Sequence, residues 1–247
     1  MTGFEDHFSA TAPEYSRYRP RYPESLYDFI VEKLPRRELA WDCATGSGQS
    51  AVSLARRFAR VIATDAAERQ IANAVPLDNV EYRVALAEDP GLEDDSVDLV
   101  TVSQALHWFD LERFYTQVRR VARQTAWIAA WAYDILEVAP GIDELLSEFY
   151  AVTMGPWWPP ERRYVVERYE TLPFPFRTVP SPPFRMEARW TVDEMLGYLG
   201  TWSAVRRCRE QTASDPLEAL APELRARWGA STRTFRWPLY VKLAPVF

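Results

Sequence analysis

Hydrophobic and polar positions in the first two thirds of the chain form short apolar runs that alternate with helical stripes. We predict strands at the apolar runs and helices where apolar residues recur every three or four positions. The predicted strands are 39–43, 61–64, 80–84, 97–102 and 126–131. The predicted helices are 26–34, 51–58, 68–74, 111–118 and 142–154. This alternation indicates an α/β fold built on a parallel sheet.

The pattern changes after Met154, because eight of the nineteen prolines fall between Pro156 and Pro183. We predict no regular element there. A strand at 184–190 follows, then a helix through Leu199 that begins with a capping box of Thr191 and Glu194, then a helix at 216–228 and a strand at 235–243.

Three segments are therefore expected along the chain. Residues 1–38 would form an arm and a helix over the ligand site, and residues 39–135 a Rossmann-like core that binds the ligand. Residues 136–247 would supply the remaining strands and a cap over the substrate, helical in part and rich in proline and tryptophan.

The segment from Leu39 to Asp65 is typical of a nucleotide-binding βαβ unit. Its first strand ends on a turn of small residues, a helix follows, and the second strand ends on an acid. Gly46 and Gly48 allow the backbone of the turn to pass close to a ligand. The carboxylate of Asp65 can accept hydrogen bonds from both hydroxyls of a ribose.

Two cofactors fit this unit. Gly46, Gly48 and Ala51, with Asp65 lying 19 residues beyond Gly46, match the dinucleotide fingerprint, so an NAD(P)-dependent oxidoreductase is one interpretation. The other is S-adenosylmethionine, and Asp42 favours it. An acid at the end of the first strand would repel a pyrophosphate but would suit a ligand that carries an ammonium and a sulfonium.

Further candidates follow the third and fourth predicted strands, at the edge where open α/β sheets bind ligands. Ala87 and Glu88 follow the third strand, where Glu88 could accept the amine of adenine or be an exposed loop acid. Gln104, His107 and Trp108 follow the fourth. His107 could remove a proton from an acceptor hydroxyl or amine, or it could be a structural hydrogen-bonding residue.

The arm before the core is rich in tyrosine and arginine. It could cross the mouth of the site, where an arginine could bind a carboxylate, or it could be fixed to the core by its aromatic residues.

In the cap, aromatic residues and arginines are interleaved with the prolines. Trp157, Trp158 and Trp202 are candidate pocket walls or, equally, core residues of the cap. Arg162 and Arg163 would suit an acidic acceptor, although a solvated surface is the alternative for each.

Composition argues against several classes of partner. The net charge is −6 without a basic cluster, which argues against nucleic-acid binding. No apolar run approaches the ~20 residues that span a bilayer, and the first six residues do not resemble a signal peptide, so we expect a cytoplasmic protein with no membrane partner. Cys43 and Cys208 lack metal-site spacing, so free thiols and no metal are expected. A monomer or a homodimer is expected.

The chain resembles the class I S-adenosylmethionine-dependent methyltransferases, and looks most like the branch that contains trans-aconitate methyltransferase and its fungal relatives. Five stretches carry the likeness: Tyr15-x-x-Tyr18-Arg19-Pro20-x-Tyr22-Pro23, Asp42 to Gln49, Val61 to Asp65, Gln104 to Phe109, and Trp190-Thr191 with Gly197 to Ser203. Ala44 stands where the family has its first loop glycine. Alanine is compatible with the loop provided that its backbone stays at negative φ.

The resemblance implies a Rossmann-like, seven-stranded, mostly parallel sheet with an antiparallel last strand, helices on both faces and a cap. It implies Asp65 on the ribose, the glycine loop along the methionine, Ala87 and Glu88 near adenine, and Gln104 and Ala105 beside the sulfonium. The full set of expected S-adenosylmethionine-binding residues is Tyr18, Arg19, Asp42, Ala44, Thr45, Gly46, Gly48, Gln49, Asp65, Ala66, Ala87, Glu88, Gln104 and Ala105.

The resemblance also implies methyl transfer to a small-molecule acceptor, a carboxylate or a hydroxyl. A carboxylate is already a nucleophile, whereas a hydroxyl or an amine needs a base, and His107 would be the catalytic residue in that second case. The expected substrate-binding residues are His107, Trp108, Trp157, Trp158, Arg162 and Trp202. A cofactor-binding or sensor protein without catalysis on the same scaffold is a further interpretation.

Overall fold

A seven-stranded sheet organises the chain, and the computed structural model describes it over residues 20–133 and 135–247. The strands are β1 (Leu39–Cys43), β2 (Arg60–Asp65), β3 (Val80–Val84), β4 (Val97–Ser103), β5 (Ala122–Tyr133), β6 (Phe184–Trp190) and β7 (Arg233–Pro245). Their order is β3-β2-β1-β4-β5-β7-β6. Strands β1 to β5 pair in parallel, and β7 is antiparallel to both β5 and β6. The predicted sheet with an antiparallel last strand is confirmed.

Nine α-helices surround the sheet in these described residues. They are α1 (Glu24–Val31), α2 (Gln49–Ala55), α3 (Glu68–Ala72), α4 (Leu111–Val121), α5 (Pro140–Glu148), α6 (Arg162–Val166), α7 (Val192–Gly200), α8 (Ser203–Thr212) and α9 (Pro216–Trp228). The longest of them, α9, has 13 residues, so none is long enough to cross a bilayer.

Side chains of the strands alternate between two apolar cores, as the period of a strand requires. Ala40 and Trp131 point into the core that contains α1 and α2. Trp41 and Cys43 point into the core that contains α4. Both faces of the sheet are therefore covered, which leaves its edges and strand ends as the places where a ligand can bind.

The chain beyond β5 covers both faces in turn. Helices α5, α7, α8 and α9 extend the core of α1 and α2, to which they add Leu146, Leu199 and Trp228. The proline-rich segment adds Val165 and Tyr169 to the opposite core. The chain therefore crosses from one face of the sheet to the other between α5 and α6.

Several element predictions are confirmed and others are wrong. The capping box is present, since Thr191 and Glu194 bond each other's backbone N–H groups. The predicted helix over 142–154 is α5 followed by a π-helical turn, Phe149–Thr153. The expectation of no regular element in the proline-rich segment is wrong for α6, and α8 was not predicted. Helix α8 begins at Trp202 without a side-chain cap and is largely polar, so its sequence gives a weak signal.

Candidate active site

The loop after β1 has an unusual backbone. Ala44, Gly46 and Gly48 have φ values of +52°, +59° and +86°, in the left-handed region. A Cβ added at Gly46 would have one heavy atom nearby, Gln70 Oε1 at 3.9 Å, whereas a Cβ at Gly48 would lie 2.6 Å from Tyr82 Oη. Among residues 20–133 and 135–247, Gly46 therefore has room for a side chain, while Gly48 lies tightly against β3.

Alanine was expected to suit the loop with a negative φ at Ala44, and this expectation is wrong. The first loop residue keeps the left-handed conformation of a glycine although it carries a methyl group. For an L-residue this conformation costs roughly 1–2 kcal/mol, so strain is present in the loop.

Ala44→Gly is therefore expected to stabilise the protein by roughly 0.5–1 kcal/mol, because relief of the strain exceeds the extra entropy of an unfolded glycine. Urea unfolding measures the change. Ala63→Gly, in the middle of the buried strand β2, is the control and should destabilise the protein. Equal losses from both variants would contradict the strain at Ala44.

The carboxylate of Asp65, at the end of β2, fixes the loop from the neighbouring strand. Its Oδ2 accepts a hydrogen bond from the N–H of Gly46 at 2.8 Å, and its Oδ1 accepts one from the N–H of Ala67 at 2.9 Å. Each carboxylate oxygen can accept a second bond. The two bonds tie the glycine loop and the start of α3 to the end of β2, and Ala66 is the residue between Asp65 and Ala67.

Asp42 lies beneath the loop and is fully buried. Its carboxylate accepts hydrogen bonds from the hydroxyls of Thr45 and of Thr101, the latter at 2.8 Å. The backbone N–H of Ala51 also interacts with this carboxylate, so Asp42 joins the loop, β4 and the start of α2. Burial raises the pKa of Asp42 from 3.8 to about 6, against the opposing effect of the two hydroxyl bonds.

This raised pKa makes the free energy of unfolding depend on pH. The folded state holds the Asp42 proton up to about pH 6 and the unfolded state releases it near 3.8, so stability is lost as the pH rises between these values. Urea unfolding at pH 4.5 and at pH 7 should show a smaller loss for Asp42→Asn than for the wild type. An identical loss in both proteins would contradict the assignment.

The loops after β3 and β4 meet at the same edge. Glu88 Oε1 accepts a hydrogen bond from the N–H of Asp110, the N-cap residue of α4, at 2.8 Å, and Ala87 is buried beside it. Gln49, at the start of α2, donates its side-chain N–H to the carbonyl of Pro20 at 3.1 Å. The start of the described chain is thus tied to the glycine loop.

Gln104 has a structural role at the end of β4. Its backbone has φ +57°, and its side-chain amide bonds the N–H and the carbonyl of Tyr133 at 2.8 and 3.0 Å. Both ends of the amide are therefore used to join β4 to β5. Ala105, the next residue, is half-buried at the start of the turn that contains His107.

His107 is buried in a 3₁₀ turn, Leu106–Trp108. Its Nδ1 lies 2.8 Å from Tyr169 Oη, and its ring lies 4.7 Å from the ring of Trp108. Burial, with a smaller effect of the Arg162 charge, lowers the pKa of His107 to about 3. The ring is therefore neutral near pH 7, and Arg162 lies close enough to act on it.

Arg162 is part of an aromatic–arginine cluster in the cap, formed by Tyr150, Trp158, Arg162 and Trp202. The Arg162 guanidinium lies 4.9 Å from the ring centre of Trp158, and its Nε donates to Tyr150 Oη at 2.8 Å. Trp202 packs on both aromatic rings, at 5.6 Å from Tyr150 and 5.5 Å from Trp158. The cluster holds a cation beside the turn of His107.

The indole N–H of Trp131, near the carboxyl ends of β4 and β5, is another unusual feature. This N–H is the buried side-chain polar atom without a hydrogen-bond partner in the described part of the chain. Trp131 pairs with Ser103 near the ends of β5 and β4, and its ring contacts that of Tyr22 at 5.5 Å. The Trp131 ring packs edge-on against Tyr22 and Tyr27 in the core of α1 and α2, so the N–H lies in apolar surroundings.

Comparison with known proteins decides the family. Residues 41–130 match the family of methyltransferase domains. A Dictyostelium discoideum protein named as a methyltransferase is 35% identical over 206 residues, which cover 82% of this chain and 78% of that protein. The structure of a protein named as a type II methyltransferase from Anaeromyxobacter dehalogenans is 45% identical, with a TM-score of 0.86 over 93% of this chain and 98% of that one. The chain belongs to the class I methyltransferases.

A Saccharomyces cerevisiae protein, named as an S-adenosylmethionine-dependent methyltransferase, is 30% identical over 129 residues, 48% of this chain and 44% of that protein. The matched domain of this methyltransferase runs from β1 into β5 and includes the glycine loop, Asp65 and the turn of His107. The cap lies outside it.

The structure of this methyltransferase brings together many of the residues selected from the sequence. The loop from Ala44 to Gly48, Asp65 and the turn after β4 lie at one edge of the sheet, and Trp158, Arg162 and Trp202 form one cluster. Trp157 precedes Trp158 in the chain, and its carbonyl accepts a hydrogen bond from Arg207 at 3.4 Å. Tyr18 and Arg19 lie outside the described residues, so their roles remain predictions.

Sequence reasoning missed Tyr150 and Tyr169. Both tyrosines contact residues that are distant in the chain, and neither belongs to a local motif. Tyr169 pairs with His107 across 62 residues.

Proposed function

We propose that this methyltransferase transfers a methyl group from S-adenosylmethionine to an oxygen atom of a small molecule, a carboxylate or a hydroxyl. The observation that carries the cofactor assignment is the left-handed loop whose Gly46 N–H is bound by Asp65. The absence of a side chain at Gly46 supports it, because no described atom beyond its chain neighbours lies closer than 3.9 Å to a Cβ built there and a nucleoside could approach the backbone. The name of the yeast relative is consistent with the same cofactor.

In this proposal the chain supplies a cradle at the carboxyl ends of β1, β2 and β3. Asp65 would accept hydrogen bonds from the ribose, the loop at Gly46 would hold the methionine portion, and Ala87 and Glu88 would line the adenine side. The bound cofactor would supply a methyl group on a sulfonium: the acceptor oxygen would bond to the methyl carbon as the carbon–sulfur bond breaks, and S-adenosylhomocysteine would leave as a neutral thioether. A hydroxyl acceptor would also give up its proton to a base. The residues of the chain then act mainly by holding the acceptor oxygen in line, which is the part of catalysis that positioning provides.

The aromatic–arginine cluster is proposed to bind the acceptor. Stacking on Trp158 and the bond to Tyr150 fix the Arg162 guanidinium before any ligand arrives, so little side-chain entropy is lost on binding. A fixed guanidinium is suited to a carboxylate, because it is always charged and a hydrogen bond between two charged groups is stronger than one between neutral groups. Its effect on the pKa of His107 places that charge beside the turn after β4.

The neighbouring arginines provide a matched pair of variants. Arg162→Gln is expected to raise KM for a carboxylate acceptor at least about tenfold and to leave cofactor affinity unchanged, because a charge-assisted bond to the acceptor is lost. Arg163→Gln removes the same charge from an exposed side chain that bonds Tyr164, and should change neither. Steady-state kinetics and cofactor titrations measure both quantities. Equal effects of the two variants would contradict the acceptor role.

An acceptor screen tests the proposed function. The protein is incubated with S-adenosylmethionine and panels of small carboxylic acids and matched alcohols, and mass spectrometry detects the mass of one added methylene together with S-adenosylhomocysteine. Product in either panel supports the proposal, and the panel that reacts identifies the acceptor group. Cofactor binding without any product across both panels would instead favour the non-catalytic interpretation.

A further inference from the structure

The proline-rich segment delivers a buried phenol to the turn after β4. Tyr169 is fully buried, and its Oη lies 2.8 Å from Nδ1 of His107. Arg168 and Tyr169 have φ values of +55° and +60°, and two successive non-glycine residues in this region are strained. The strained backbone just after α6 is therefore what brings the Tyr169 side chain to His107.

The hydroxyl of Tyr169 is hydrogen-bonded to His107, and two backbone N–H groups lie near it. Besides Nδ1 of His107, the backbone N–H groups of Leu106 and His107 interact with it. A backbone N–H can only donate, so both of these groups take acceptor positions on the phenol oxygen. Of the three neighbours, Nδ1 alone has a lone pair to offer to the phenol proton.

The phenol keeps that proton. Burial raises the pKa of Tyr169 well above its ordinary value, so a tyrosinate is disfavoured at any physiological pH. The O–H of Tyr169 must then donate to Nδ1. A neutral imidazole that accepts at Nδ1 carries its own hydrogen on Nε2, so the hydrogen-bond pattern selects one of the two tautomers.

We propose that Tyr169 is a positioning residue that holds His107 as the Nε2–H tautomer, so that His107 is a hydrogen-bond donor and not the base of the reaction. Trp108 and Tyr169 pack against the ring, and the charged group that acts on it is the guanidinium of Arg162. His107 then carries a single N–H donor, on Nε2, within reach of the charge of the Arg162 guanidinium.

This assignment deepens the proposed function and rests on it for its consequence. An Nε2–H donor can bond a lone pair of the acceptor but cannot remove the proton of a hydroxyl. A carboxylate arrives ionised and needs no base, and its oxygens match donors from His107 and Arg162. Of the two acceptor groups proposed, the tautomer of His107 thus selects the carboxylate.

The test uses the full-length protein labelled with ¹⁵N-histidine, without cofactor or acceptor. The chain has two histidines, and His7→Gln assigns the signals of His107. Long-range ¹H–¹⁵N correlation distinguishes a protonated from an unprotonated ring nitrogen. We expect an unprotonated Nδ1 and a protonated Nε2 that do not change from pH 5.5 to 8.5. A protonated Nδ1, or a titration in this range, would overturn the proposal.

Two tyrosine variants test the role of Tyr169. Tyr169→Phe removes the hydroxyl and should give a mixture of tautomers or the Nδ1–H form. Tyr115→Phe is the control, because the Tyr115 hydroxyl is bonded to the carbonyl of Pro173 in the same core, and it should leave the His107 signals unchanged. Unchanged signals in Tyr169→Phe would overturn the positioning role.

Should the Tyr169→Phe variant fail to fold, the wild-type pH series still decides the tautomer. No outcome here depends on methyl transfer, so failure of the proposed function would be seen separately in the acceptor screen.

Discussion

Gly48→Ala is expected to lower the free energy of unfolding by about 2–4 kcal/mol and to weaken cofactor binding, because two costs add. The backbone of Gly48 has φ +86°, which strains any residue with a Cβ. The new methyl group would also lie 2.6 Å from Tyr82 Oη and 3.0 Å from Tyr82 Cε1. Tyr82 cannot move freely to make room, since its hydroxyl donates to the carbonyl of Val75 at 3.1 Å. Urea unfolding and S-adenosylhomocysteine titration measure the two effects.

Alanine variants of other glycines separate the cost of backbone strain from the cost of the steric clash with Tyr82. Gly91→Ala places alanine at φ +63° with no atom within 4 Å of the new Cβ, so it should show the cost of strain alone, about 1 kcal/mol. Gly141→Ala, in α5, has neither problem and should be close to neutral. Combining Gly48→Ala with Tyr82→Ala should recover the part of the loss that comes from the clash. A cost at Gly48 no greater than that at Gly91 would show that Tyr82 does not constrain the loop.

Asp65→Ala is expected to weaken S-adenosylhomocysteine binding by about 10–100-fold, or about 1.4–2.8 kcal/mol. The substitution removes the charge-assisted bonds expected to the ribose. It also releases the N–H groups of Gly46 and Ala67, which the carboxylate holds at 2.8 and 2.9 Å. Isothermal titration calorimetry measures the loss of affinity, and thermal melting of the free protein measures the part that comes from loosening the loop.

Asp78→Ala is the matched control for this prediction. It removes the same charge from an exposed side chain that precedes β3, so Asp78 lies at the amino end of the strands and Asp65 at the carboxyl end. The affinity for S-adenosylhomocysteine should be unchanged. Asp65→Asn keeps one carbonyl acceptor, so its affinity for S-adenosylhomocysteine should lie between those of Asp65→Ala and the wild type. The role of Asp65 would be refuted by a dissociation constant in Asp65→Ala that equals the wild-type value.

The central unit could be predicted from the sequence because its signals are local. The apolar strand before Asp42, the glycines at 46 and 48 and the acid at 65 lie within one βαβ unit, where backbone freedom and chain order limit the possible geometry. The capping box of Thr191 and Glu194 was predictable for the same reason. The antiparallel last strand, in contrast, followed from the resemblance and not from the pattern of residues.

The details that the sequence did not predict depend on contacts between distant residues. The positive φ of Ala44 is set by the surrounding turn, against the preference of alanine. The bonds of the Gln104 amide to the backbone of Tyr133 on the next strand were not predicted, and its place beside the sulfonium stays a prediction. Tyr169 reaches His107 from a segment where prolines suggested no regular structure. Such partners become visible only once the chain is folded.

The most direct test of the account is calorimetric titration of the wild-type protein with S-adenosylhomocysteine. We predict one saturable site per chain, with the affinity reduced in Asp65→Ala and unchanged in Asp78→Ala. The contradicting result is a folded protein that gives neither heat nor a shift in melting temperature with S-adenosylhomocysteine or S-adenosylmethionine up to about 1 mM, a concentration that half-fills a site of about 4 kcal/mol. The glycine loop and Asp65 would then have no cofactor to hold.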